Sequence, residues 1–264
     1  MTIRVGVFGA GGRMGSTVCR AVAADPELDL VMAVDPFHSG IDLRQVSGAD
    51  VAGQIAPDAG ALARAGVEVA VDFTTVAAAR ENLRWCADNG VHAVVGTSGF
   101  QPDDLEDLAG WFTASNCFVA PNFAIGAVLM MRFAELAAPW FDTAEIIELH
   151  HDAKIDAPSG TAMLTAARMA AASSEWATNP TETTLVDGAR GGTGPGGIRV
   201  HSVRLRGLVA HQEVLLGTTG QTLTIRHDSS DRASFMPGVL LAVKAVAELP
   251  GLTVGLDALL GSLG

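Results

Sequence analysis

Between Glu148 and Ala162 the chain reads ELHHDAKIDAPSGTA, the stretch of the sequence richest in groups that move protons or bind anions. His150 and His151 are imidazoles able to give or take a proton, Lys154 adds an ammonium, and Ser159-Gly160-Thr161 opens a helix whose first N–H groups suit a carboxylate. Together they equip a site to deliver a proton to a small anion. Lysine occurs at only two positions, Lys154 and Lys244, so Lys154 is not one of many solvating charges, whereas Lys244, in the last helix, is expected at the surface. An ordinary lysine titrates near ~10.4, so service as an acid at neutral pH calls for neighbouring positive charge or burial around Lys154. Plainer roles exist. The histidine pair could be structural, and Ser159 could simply cap the helix, which is compatible with anion binding. A metal is not expected, because His150 and His151 point to opposite faces of a strand and no second ligand cluster follows.

A second constellation lies at the start. Gly9-Ala10-Gly11-Gly12-Arg13-Met14-Gly15 falls between an apolar strand and a helix, where backbone N–H groups and the helix dipole can hold a pyrophosphate. The usual GxGxxG register would need glycine where Met14 stands, so the better match is Gly9, Gly12 and Gly15. Asp35 ends the next strand, where a carboxylate can accept hydrogen bonds from a nucleotide ribose, or serve only as a turn residue before Pro36. Gly96-Thr97-Ser98-Gly99 and Ala120-Pro121-Asn122-Phe123 end later strands on the same rim. They are placed to meet the nicotinamide half of a dinucleotide, although turn chemistry alone would explain them.

The elements that must position these groups follow from periodicity. Strands are expected at Ile3–Phe8, Leu30–Val34, Val69–Phe73, Val91–Val95 and Phe118–Ala120, with helices at Met14–Ala24 and Ala77–Asn89, the second stopped by Gly90. Alternation of this kind gives a doubly wound parallel sheet. The rhythm changes near Ala124. A helix through Ala138, a strand Glu145–Leu149 and a helix Thr161–Ala172 lead to three strands read as antiparallel, Ile198–Arg206, Glu213–Gly217 and Leu223–Arg226, with a hairpin at Thr218–Gly220. The glycine-rich Gly188–Gly197 is read as a mobile loop, since no strand and helix flank it. An apolar helix, Gly238–Leu249, then returns. The expected organisation is a dinucleotide-binding domain at 1–124, an α+β substrate-binding and tetramerisation domain at 125–234, and a C-terminal segment, 235–264, that rejoins the first domain.

Composition narrows the partners. A formal charge of −12 argues against nucleic acid or an anionic membrane, and 48% hydrophobic residues can fill a sizeable core. The N-terminus has no signal-peptide pattern and no run is long enough to span a bilayer, so a cytoplasmic location is expected. Cys19, Cys86 and Cys117 have no CxxC spacing and read as buried spectators. The absence of tyrosine excludes a reductase that takes its proton from a Tyr-Lys pair.

The GAGGRMG turn, the GTSGF and APNFAIGAV loops, and above all ELHHDAKIDAPSGTA resemble the dihydrodipicolinate reductase family, in matching order as far as RHDSSDRASFMPGVLLAV. The match is thin between about Pro36 and Gly66 and between about Ser173 and Gly197. This resemblance implies a Rossmann-like domain followed by a substrate domain. It also implies hydride transfer from NADH or NADPH to 4-hydroxy-tetrahydrodipicolinate or its dehydrated form, with loss of water, in diaminopimelate and lysine biosynthesis, by a homotetramer. His150 then matches the proton donor or acceptor and Lys154 the general acid, while His151, Ser159, Gly160 and Thr161 match the positions around a small dicarboxylate. The cofactor would meet Gly9, Ala10, Gly11, Gly12, Arg13, Met14, Asp35, Gly96, Thr97, Ser98, Ala120, Pro121, Asn122 and Phe123. Ser98 and Ala124 depart from the family's more frequent Thr and Ser. Because Pro36 rather than arginine follows Asp35, NADH is favoured. Competing readings are another two-domain NAD(P)-dependent amino-acid dehydrogenase, which leaves the His-His-Lys segment without a task, and an NAD(P)-sensing regulator without turnover.

Overall fold

A computed structural model describes residues 2–261 of the chain. These form two compact units, one comprising residues up to Phe123 and again from Phe235, the other Ala124–Ser234. The first begins with β1 (Ile3–Phe8), α1 (Arg13–Ala24), β2 (Leu28–Val34), α2 (Leu43–Ser47), α3 (Gly60–Arg64), β3 (Val69–Asp72), α4 (Val76–Asp88), β4 (His92–Val95), α5 (Pro102–Trp111) and β5 (Cys117–Val119). Residues in β3 and β5 are buried without alternation, as in a parallel sheet covered on both faces. Periodicity missed α5, yet its start carries a legible signal: Pro102 at the first helical position, Asp103 and Asp104 in the first turn, and the Asp104 carboxylate accepting from Gln101 N at 2.7 Å.

The second unit contains α6 (Ile125–Ala137), β6 (Thr143–His150), α7 (Gly160–Ala172), β7 (Gly192–Thr193), β8 (Arg199–Arg204), β9 (Ala210–Thr218) and β10 (Gln221–Ser229), with sheet order β10-β9-β6-β8-β7. The sheet is mixed. β8, β9 and β10 alternate in direction as expected, but β8 does not pair with β9: β6 lies between them, and β8 pairs with it in parallel because α7 lies in the crossover from β6 to β8. β9 is antiparallel to both β6 and β10. The glycine-rich segment is not wholly loop, since Gly192 and Thr193 extend the sheet beside β8. Along β6 every second residue faces inward: Ala144, Ile146 and Glu148 are buried, with Met169 and Ala166 of α7 and Val214 of β9 also in this core.

The chain then returns to the first unit through α8 (Met236–Ala245) and β11 (Leu252–Val254), giving the sheet order β11-β5-β4-β3-β1-β2. α8 ends before the expected Leu249, continuing only as a 3₁₀ turn, Val246–Glu248. Lys244 is ion-paired rather than purely solvated: its ammonium meets Asp25 at 2.9 Å and also Glu27. The Asn116 amide donates to Val246 O and Ala247 O, each at 2.9 Å, and its oxygen accepts from Gly251 N at 3.1 Å. The three cysteines are buried and free, and burial pushes the Cys19 thiol up to about 12 and those of Cys86 and Cys117 upward as well. Among the described residues no helix is long and apolar enough to cross a membrane.

All the parallel strands of the first sheet end on one edge, and the β1–α1 turn is built tightly there. Gly9 has φ +67°, and a Cβ on Gly15 would lie 2.0 Å from the Gly9 carbonyl oxygen, which is backbone and cannot rotate away. Gly15→Ala should therefore lever α1 off the turn, lowering the unfolding free energy by roughly 1–3 kcal/mol in urea titration and weakening dinucleotide binding; unchanged values for both would show that the turn tolerates a side chain.

Candidate active site

In the first unit, Gly12 precedes the first residue of α1 as its N-cap without a side-chain hydrogen bond, so the start of the helix presents backbone. The Asp35 carboxylate is largely buried and braces this turn: Oδ2 accepts from Gly11 N at 2.9 Å and Oδ1 from Phe37 N at 3.0 Å, with His38 Nδ1 3.1 Å from Oδ1. Burial alone would raise the Asp35 pKa, but His38 and the Gly11 and Phe37 N–H groups hold it below the usual carboxylate range. Its role is thus partly the turn-bracing one, and a carboxylate keeps further lone pairs for a ribose hydroxyl. The His38 imidazole lies over Gly11, where a Cβ would fall 2.1 Å from Nδ1. Nothing in the local sequence pattern marked this residue.

Beside the turn lies a cavity of about 810 Å³ whose wall includes Gly9, Gly12, Asp35, Phe37, Thr74 and Thr75. This volume suits a small-molecule site. Arg13 is exposed and Met14 half-buried at the start of α1, while Ala10 is fully buried. A turn of backbone donors with an acidic residue closing the next strand fits a dinucleotide. The later loops align along the same edge: Gly96 N donates to Asp72 O at 2.9 Å and Ala120 N to Val95 O at 3.0 Å.

Thr97 turns inward. Its hydroxyl donates to Asp72 Oδ1 at 3.1 Å, leaving exposed Ser98 as the outward side chain of that loop. Asp72 itself is buried and also accepts from Thr74 N (2.8 Å), Thr74 Oγ1 (2.7 Å) and Asn82 Nδ2 (2.8 Å), tying together the loops after β3 and β4 and helix α4. The sequence reading passed over it, although a carboxylate ending a wholly apolar strand was the signal. Phe123 is buried, its ring centroid 5.7 Å from Phe73 and 6.1 Å from Phe118, so its side chain belongs to the core; Pro121 is exposed and Asn122 half-buried.

In the second unit, His150 ends β6 on the same face as Glu148, and its Nδ1 lies 2.5 Å from Glu148 Oε2. Glu148 has no exposed surface. It also accepts from Arg204 Nη1 at 2.9 Å, Arg204 Nη2 at 2.8 Å and Ser159 N at 3.2 Å. Burial would raise the Glu148 pKa, but Arg204, the Ser202 hydroxyl and His150 bring it below the ordinary range. Burial lowers the His150 pKa, with Lys154 and Arg204 acting in the same sense and Glu148 opposing. Neither Glu148 nor Arg204 was singled out from the sequence. The alternation of β6 was the available signal, since it sets Glu148 in line with buried Ala144 and Ile146.

Around this pair stand the other expected residues. Lys154 Nζ reaches Asp156 Oδ1 and Oδ2 at 2.7 and 2.8 Å; of the two settings expected from the sequence, neighbouring positive charge or burial, a carboxylate stands where the positive charge would be, while the side chain is only 20% exposed. The Lys154 ammonium in turn holds the Asp156 carboxyl below its usual range. Arg204 Nη2 donates to Asp156 O at 2.6 Å, tying the same loop to β8. Ser159 caps α7, its hydroxyl accepting from Ala162 N at 3.2 Å, and a Cβ built on Gly160 would meet nothing within 4 Å, so the helix start is open on that side. His151 is half-buried beyond the strand end, and its carbonyl accepts from Lys154 N at 3.2 Å. The second unit thus gathers an imidazole, an ammonium and a helix N-terminus, the means to bind an acid and hand it a proton.

The family pattern described as "Dihydrodipicolinate reductase, N-terminus" matches residues 3–123, and "Dihydrodipicolinate reductase, C-terminus" matches residues 126–260. The 4-hydroxy-tetrahydrodipicolinate reductase of Nocardia farcinica is 51% identical over 97% of this chain and 98% of its own length, and that of Cutibacterium acnes is 51% identical over 98% and 99%. A solved structure described as dipicolinate-bound dihydrodipicolinate reductase, from a Paenisporosarcina species, superposes with TM-score 0.85 at 41% identity, covering 98% of this chain and all of that one. An amine dehydrogenase from Mycobacterium smegmatis shares only the fold, at TM-score 0.64 and 17% identity over 100% of this chain and 97% of that one. With both family patterns matched along nearly the whole chain, this protein belongs to the dihydrodipicolinate reductase family.

Proposed function

We propose that the chain reduces 4-hydroxy-tetrahydrodipicolinate to tetrahydrodipicolinate: the hydroxyl and a ring hydrogen leave as water, and a hydride and a proton add to the dehydrated ring. A nicotinamide cofactor supplies the hydride. The observation that carries this reading is that the buried Glu148–Arg204 pair holds His150, the open start of α7 and, through the Asp156 carbonyl, the loop whose carboxylate pairs with Lys154. In this proposal Gly160 and Thr161 bind a substrate carboxylate with help from Ser159 and His151, His150 gives or takes a proton, and Lys154 donates one to the ring as hydride arrives. The β1–α1 turn from Gly9 to Met14, with Asp35, holds the dinucleotide, and the loops Gly96–Ser98 and Ala120–Phe123 meet its nicotinamide end. We further assign a cytoplasmic homotetramer; light scattering on the purified chain checks the assembly.

The test of the reaction is loss of cofactor absorbance that requires the product of the dipicolinate synthase step. General acid catalysis contributes about 10²- to 10⁴-fold in rate, so Lys154→Ala should lower kcat at least about 10²-fold while NADH affinity stays the same. A near-normal kcat in that variant would remove Lys154 from the reaction. Thr161→Val should raise KM for the ring substrate about ten-fold, in keeping with loss of one charge-assisted hydrogen bond. Pyridine-2,6-dicarboxylate should compete with that substrate; inhibition independent of substrate concentration would show the carboxylate site to be elsewhere.

NADH is the favoured cofactor in this proposal. Asp35, Asp58 and Glu81 line the cavity beside the glycine turn, and among the described residues no lysine or arginine does. A carboxylate ~4 Å from a phosphate charge repels it by about 1 kcal/mol in a water-like medium and about 4 kcal/mol at an effective dielectric near 20, less whatever Arg13 returns. We expect a modest preference for NADH, measured as kcat/KM with each cofactor. Asp35→Ala should raise relative use of NADPH and Arg13→Ala should reduce it, whereas strong wild-type preference for NADPH would overturn the assignment.

A further inference from the structure

We propose that Glu148 and Arg204 form a buried positioning pair that fixes His150 in the tautomer with its proton on Nδ1, and that the same pair sets the spacing between this imidazole and the start of α7. Glu148 is fully buried, and both its oxygens are engaged by the guanidinium of Arg204, a planar fork matched to a carboxylate. An ionised carboxylate can only accept. The His150 nitrogen 2.5 Å away must then be the donor, which leaves the lone pair of a neutral imidazole on Nε2. Burial of His150 favours the same neutral form.

The pair reaches the anion-binding elements as well. Ser159 N donates to Glu148 Oε1 at 3.2 Å while Ser159 Oγ caps Ala162 N, so the carboxylate that orients His150 also anchors the first turn of α7. Arg204 Nη2 donates to Asp156 O at 2.6 Å and so holds the loop whose Asp156 carboxylate pairs with Lys154. One ion pair thereby relates three groups of the proposed site: the imidazole, the ammonium and the helix N-terminus. Glu148 and Arg204 act through these groups and are positioning residues. The inference rests on the reading of His150 as the residue that gives or takes a proton.

The test is ¹⁵N NMR of histidine-labelled full-length protein without substrate, paired with kinetics and fluorescence titration of NADH. In the wild type His150 should carry its proton on Nδ1; a proton on Nε2 overturns the proposal whether or not any variant folds. Glu148→Gln turns an amide toward the imidazole, and the His150 proton should move to Nε2, with kcat falling at least about 10²-fold and NADH affinity unchanged. A wrong tautomer is costly wherever histidine shuttles protons. If kcat falls but the proton stays on Nδ1, the pair is merely structural and the positioning inference fails while the role of His150 stands. If the proton moves and kcat does not, the orientation is real but irrelevant to the reaction, which overturns the link proposed here and the reading of His150 with it.

Discussion

A carboxylate shut away from water must be matched by donors or it will not stay ionised, and Glu148 is the place where the second unit meets that requirement. Four donor residues come from three elements: Arg204 and Ser202 on β8, His150 two residues on along β6, and the backbone of Ser159 at the start of α7. Each of these must arrive at a fixed distance for the others to be satisfied. The register of β6 against β8, in which His150 lies opposite Arg204 and Glu148 opposite Ser202, is therefore coupled to the placement of the helix that follows. Packing alone would hold this sheet with an apolar residue at 148. What the buried charge adds is direction, because hydrogen bonds set the orientation of side chains that hydrophobic contact leaves free.

The first unit meets the same constraint at two smaller carboxylates. Asp72 gathers the loops after β3 and β4 through Thr74, Thr97 and Asn82, and Asp35 ties the end of β2 to the glycine turn through Gly11. Both lie at carboxyl ends of parallel strands, the edge where a doubly wound sheet offers exposed loops and helix starts to a ligand. Loops are ordinarily the loosest parts of a domain. Here short hydrogen bonds to buried or half-buried acids restrain them, so backbone donors in the turn can be in place before a dinucleotide arrives.

In the proposed function the chemistry is divided along the same lines as the structure. Unit one supplies a backbone-rich turn and an acid-lined cavity that suit a nucleotide, and unit two supplies the proton-handling side chains and a helix N-terminus suited to a carboxylate. Lys154 shows how the local setting shapes the role of a residue. Its ammonium is paired with Asp156 in the structure, so in the proposed function a substrate dianion would compete with an internal carboxylate for the same charge.

Periodicity and turn chemistry by themselves determined the strands and helices that carry the site, because alternating burial, helix-stopping glycines and strand-ending turns are local properties of the chain. The string from Glu148 to Ala162 likewise suggested proton transfer and anion binding from residue type alone, since two histidines, a lysine and a Ser-Gly-Thr helix start carry those capacities wherever they fold. What the sequence left open depends on partners far along the chain. Arg204 meets Glu148 across 56 positions, and only the parallel pairing of β6 with β8 brings them together; no partner for β6 was legible in the sequence because the crossover through α7 is a tertiary event. His38 over Gly11, Asp156 against Lys154 and Thr97 turned toward Asp72 were hidden for a related reason: residue type shows what a side chain can do, but its direction and partner are settled only when the backbone around it has closed.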